Sequence, residues 1–111
     1  MKNGIYHANF TSSLGITGYG LVVVKDGAIN GGDPAYLYTG KIDSNNNLIS
    51  GQININKWNQ AGNDSIFGAA NNFDLALQGN STDKNFNMAG HVVGQPALKI
   101  TIQGTFLSEA S

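Results

Sequence analysis

The chain has 111 residues, with 15 Gly, 15 Asn, no Cys and no Arg, and its 6 Lys against 7 acidic residues leave a formal net charge of −1. This length sets a single domain as the expectation, and the absence of any basic cluster excludes the electrostatic footprint of a nucleic-acid binder. Without Cys there are no disulfides, thiolate metal ligands or Cys nucleophiles, and no apolar run approaches the roughly 18 residues of a membrane-spanning helix.

Met1-Lys2-Asn3-Gly4 leads straight into Ile5-Tyr6-His7-Ala8 with no apolar signal segment, so a cytoplasmic location is expected. From there, alternation with a period of two dominates. Tyr6, Ala8 and Phe10 share one face of a first strand. The second, Thr17 to Lys25, carries Tyr19, Leu21 and Val23 on one face and Val22 and Val24 on the other, which suits burial on both sides. Asp26-Gly27 then predicts a two-residue hairpin, because both central positions of a type I′ turn need positive φ. Ala28 and Ile29 begin a short third strand that is expected to stop at Asn30-Gly31-Gly32-Asp33-Pro34.

Tyr36, Tyr38 and Gly40 align on a fourth strand ending near Ile42, followed by a polar turn over Asp43-Ser44-Asn45-Asn46-Asn47. Ile49, Gly51, Ile53 and Ile55 make the apolar face of a fifth strand, and Ser50, Gln52, Asn54 and Asn56 its polar face. Trp58 to Asn72 reads as the longest irregular connection, with room for one helical turn around Ser65–Ala70. Phe73, Leu75 and Leu77 mark a sixth strand, Gly79 to Asp83 a loop, and Phe86, Met88, Gly90 and Val92 a seventh. After a turn at Gly94-Gln95-Pro96, Leu98, Ile100, Ile102 and Phe106 mark an eighth.

Eight short strands with mostly short connections and no long helix predict an all-β fold, a small eight-stranded antiparallel up-and-down barrel spanning 1–111. Gly18, Gly20, Gly40, Gly51, Gly79, Gly90 and Gly104 fall inside strands, which favours a tightly coiled barrel over a flat sandwich.

Catalytic chemistry finds little support. The two His, His7 and His91, lie on separate strands with no third ligand near them, and Glu109 is the only Glu. Gly31-Gly32-Asp33 lacks the Lys-Ser/Thr of a phosphate loop. The expectation is a non-enzyme with no metal and no cofactor. Tyr6, Phe10, Tyr19, Tyr36 and Tyr38 either form the core itself or line a cavity for one small apolar ligand, since an eight-stranded barrel permits both. Trp58, Ile66 and Phe67 in the long loop either cover a barrel end or form a patch for self-association, and the low net charge favours a homodimer.

Three stretches carry a family resemblance. They are Asn3-Gly4-Ile5-Tyr6 leading to Phe10-Thr11-Ser12, Gly18-Tyr19-Gly20 through Asp26-Gly27 to Gly31-Gly32-Asp33 and Tyr38-Thr39-Gly40, and Ser65-Ile66-Phe67-Gly68 followed by Phe73 to Gly79. Together they resemble the GrlR family of small bacterial regulators of type III secretion genes. The resemblance implies a lipocalin-like, dimerising barrel that restrains a transcriptional activator by protein–protein contact. It also implies a partner site at an acidic Glu-Asp-Glu-Asp turn, whose matching positions here, after Asp43, are the neutral Ser44, Asn45, Asn46 and Asn47. Three functions follow for test: a regulatory binding module, a small carrier of an apolar ligand, and a structural subunit of a larger assembly.

Overall fold

In the computed structural model, which describes residues 1–62, 65, 67 and 71–110, eight strands follow one another in chain order. They are β1 (Gly4–Ser12), β2 (Thr17–Lys25), β3 (Ala28–Gly32), β4 (Tyr36–Asn45), β5 (Leu48–Lys57), β6 (Asn72–Ser81), β7 (Asn85–Val92) and β8 (Gln95–Ser108). Each pairs antiparallel with the next, and β8 returns to pair with β1, closing an up-and-down barrel. Closure leaves no strand with an unpaired edge, the arrangement that otherwise invites aggregation.

Alternation decides what faces in. Ile49 and Ile53 on β5 are buried while Ser50 and Gln52 between them are exposed. The same phase buries Tyr6 and Ala8, Val22 and Val24, Tyr36 and Tyr38, Leu75 and Leu77, Phe86 and Met88, and Ile100 and Ile102 around one interior. Glycine takes several further inward positions, among them four that stand across from a large inward neighbour. Gly104 pairs with Phe86, Gly51 with Ile42, Gly90 with Leu77, and Gly31 with Tyr38. At Gly104 the reason is direct, because a Cβ there would lie 1.9 Å from the Phe86 ring. Strand glycine costs stability in a flat sheet, but here it gives the interior its room.

The hairpin expected at Asp26-Gly27 has φ of 51° and 81° at its two residues, the mirror-image turn that matches strand twist. Several boundaries differ from the sequence expectation. The turn after β4 is only Asn46-Asn47, with Asn46 at φ 57°, so Asp43, Ser44 and Asn45 belong to the end of β4 and pair with Ser50, Ile49 and Leu48. β3 runs on through Gly31 and Gly32, and β6 through Gly79 to Ser81. Gly31 and Gly79 face inward across from Tyr38 and Met88, and Gly32 faces outward between Leu21 and Leu37, so glycine extends these ladders where the sequence reading has it break them. The second strand is one-sided. Val22 and Val24 point inward opposite Tyr6 and Gly4, while Tyr19 and Leu21 point out, 69% and 50% exposed. The helical turn expected around Ser65–Ala70 falls largely outside the described residues.

Candidate functional site

The two ends of the barrel differ. At the end holding the β2–β3 and β4–β5 turns, aromatic packing fills the interior. The Tyr6 ring meets Phe86 edge-on at 5.4 Å and Phe106 at 5.5 Å, contacts worth about 0.5–1.5 kcal/mol each beyond area burial. The Tyr6 hydroxyl donates to the Lys2 carbonyl at 2.6 Å, and burial raises its pKa above the ordinary tyrosine value. The Lys2 ammonium sits 4.3 Å from the Phe106 ring centroid and completes this plug.

Toward the other end lies a pocket of about 810 Å³, whose lining combines inward side chains of the barrel with the outward-facing Asn9, Thr11, Tyr19 and Gln103. Phe10, Tyr36, Tyr38, Ile53, Phe67 and Met88 are among its walls, and its lining reaches Thr17 at the start of β2 and Ile16 and Pro34 in the connections at that end. The volume lies within the range of ligand pockets, about 300–1,000 Å³. Of the five aromatic residues named from the sequence, Phe10, Tyr19, Tyr36 and Tyr38 are on its lining, whereas Tyr6 belongs to the plug. Tyr19 contributes from the outer wall, where its ring stacks on His7 at 5.7 Å.

Asp33 is the only charged residue on the lining among the described residues. Its Oδ1 accepts from the amides of Ala35 (2.8 Å) and Tyr36 (2.7 Å), which builds the β3–β4 turn. The Tyr38 hydroxyl donates to Oδ2 in a short hydrogen bond. Burial, the bond to Asp33 and the Asp33 charge all push the Tyr38 pKa far above the usual tyrosine value. Space for this phenol comes from Gly20, where a Cβ would stand 2.7 Å from the Tyr38 oxygen. The sequence marks Asp33 as a turn residue, but nothing in the spacing of Asp33 and Tyr38 signals that they meet.

Trp58, expected with Ile66 and Phe67 either to cover a barrel end or to form an association patch, is 53% exposed and donates its indole N–H to the Asp33 carbonyl at 3.0 Å. Phe67 instead turns inward, 9% exposed, and packs edge-on against Phe73 at 5.6 Å. Burial of its ring on the cavity wall removes it from any surface patch, and Ile66 lies outside the described residues. The exposed apolar face lies elsewhere. Leu21, Gly32 and Leu37 are successive cross-strand partners on β2, β3 and β4, so two exposed leucines flank a position with no side chain, and Tyr19 lies next to Leu21 on the same face.

Asp43, Ser44, Asn45, Asn46 and Asn47 are all exposed at the plugged end. Ser44 Oγ accepts from the Met1 ammonium at 3.0 Å, and the Asn47 carbonyl accepts from the Ser81 amide at 2.8 Å. The turn and the open end of the cavity are therefore at opposite poles of the barrel.

Among the described residues no group of three His, Cys, Asp or Glu is placed to hold a metal ion. No helix there is long and apolar enough to cross a membrane. Residues 1–110 match the protein family described as T3SS negative regulator, GrlR. A search of curated proteins gives no significant match.

Proposed function

The chain belongs to the GrlR family, and from that premise we propose that it is a non-enzymatic negative regulator of type III secretion gene expression, acting in the cytoplasm by protein–protein contact with a transcriptional activator. The observation that carries the reading is the family match over 1–110, essentially the whole barrel. The exposed Asp43–Asn47 segment supports it as a contact surface. That surface offers one carboxylate and three amides, so it recognises its partner through neutral hydrogen bonds rather than through a carboxylate cluster facing cations. Neutral contacts are little screened by salt.

Deletion of the gene in its own host, followed by transcript measurement, is the direct test. Increased secretion-gene transcripts are expected, and unchanged transcripts would sink the proposal. In vitro, affinity for the activator should change by less than about threefold between 50 and 300 mM salt, whereas electrostatically dominated contacts fall steeply with ionic strength. An Asn45→Asp/Asn46→Asp variant should restore a salt-dependent term if the cognate surface is basic.

Self-association through the Tyr19, Leu21 and Leu37 face is part of the same proposal, supported by the exposure of those side chains. A monomer mass by light scattering at tens of micromolar would rule it out. The cavity favours one further reading, that the barrel also takes up a small apolar molecule.

A further inference from the structure

The cavity wall carries chemical information beyond its size. Apart from Asp33 its described lining is apolar or uncharged, with no Lys and no His on it. The cation Lys57 lies 5.8 Å from the Tyr36 ring centroid but is not on the lining. The Asp33 carboxylate is held in place by two backbone amides and the Tyr38 hydroxyl. A fixed negative charge at a partly desolvated site repels a second one by far more than it would in water, and a ligand carboxylate entering here finds no cation on the wall to pair with. An uncharged polar end fares differently. The Asp33 oxygens and the Tyr38 oxygen still present lone pairs to an incoming hydroxyl or amide donor.

We propose that the cavity binds a non-anionic apolar molecule with a hydrogen-bond-donating end, such as a medium-chain alcohol, and discriminates against the corresponding carboxylate. The apolar body packs among Phe10, Ile53, Phe67 and Met88, and the polar end sits at Asp33 and Tyr38. This inference rests on the reading that the cavity takes an apolar ligand, but it names the class and the group that selects it.

The experiment is fluorescence titration of the full chain with the neutral probe N-phenyl-1-naphthylamine, followed by its displacement with 1-decanol or with decanoate at pH 8. Saturable probe binding is expected, with decanol displacing it at concentrations about tenfold or more below decanoate, the factor of a single unfavourable charge contact. Asp33→Asn keeps an acceptor for the two amides and removes the charge, so it should narrow the gap between the two ligands. Met88→Trp should abolish probe binding by filling the cavity. If that variant fails to fold by circular dichroism, Ile53→Phe is the second filling variant. Probe binding with decanoate equal to or tighter than decanol overturns the selectivity while leaving an apolar site. A Lys57→Met change that then removes decanoate binding would place the carboxylate at Lys57. No saturable binding of any of the three molecules overturns the ligand site itself.

Discussion

Tyr38 holds the barrel's open end to its wall. Its hydroxyl bonds the carboxylate that also builds the β3–β4 turn, so a single ring links the turn to the core. Tyr38→Phe should cost about 2 kcal/mol in urea unfolding, the range for a hydrogen bond to a charged group. The bond also makes stability pH-dependent at the alkaline side. The folded-state pKa of Tyr38 is raised above its unfolded value near 10, so above pH 10 the folded state holds a proton that the unfolded chain releases. Its stabilisation is therefore fully present below pH 10 and lost progressively as pH rises beyond it. Denaturant midpoints at pH 9, 10 and 11 should fall more steeply for the parent than for Tyr38→Phe. Gly104 offers the complementary test. A Cβ at that position enters the Phe86 ring, so Gly104→Ala should destabilise by about 2 kcal/mol through overpacking. Adding Phe86→Leu should recover part of the loss, and strictly additive effects would argue against a direct clash.

The strands show which parts of the fold period-two patterning can reveal. β5 was fully legible, because its two faces differ in every residue: Ile49, Gly51, Ile53 and Ile55 against Ser50, Gln52, Asn54 and Asn56. β2 was not, because Tyr19, Leu21 and Val23 alternate with Gly20, Val22 and Val24, and both sets are compatible with a core. Only the pairing of Tyr6 with Val22 and Ala8 with Gly20 selects the inward set, and that register is a property of two strands, not one. The ends of β3 and β6 were missed for a related reason. Glycine signals a break when a strand is read alone, and its value appears only when a large neighbour across the ladder needs the space. Of the site, period-two alternation puts Phe10, Tyr36 and Tyr38 on apolar strand faces without deciding between packed core and cavity wall, and the bond between Asp33 and Tyr38 depends on the turn geometry and on Gly20. At the hairpins the local code is stricter. Gly27 sits at φ 81°, so Gly27→Ala should cost about 1 kcal/mol and shift the thermal midpoint downward, without changing the circular-dichroism spectrum of the folded state.

For the whole molecule, the closed ladder separates two poles with different chemistry. One is packed with Tyr6, Phe86 and Phe106 and bears the exposed Asp43–Asn47 segment, and the other opens beside Asp33. A partner at the first pole and a small molecule at the second occupy surfaces that do not overlap. The barrel's last seam also governs how it forms. Every other pairing joins strands adjacent in sequence, whereas β1 meets β8 with Ile5 opposite Ser108, so this contact closes a loop of nearly the whole chain. Such closure carries the largest entropic cost of any pairing in the fold and is expected to come late in folding. It follows that the order of strands around the barrel has no intrinsic beginning. Joining the neighbouring termini through a short linker and reopening the chain between Val93 and Gly94 would yield a circular permutant with the same eight-strand ring, and the seam would then move from β1–β8 to β7–β8.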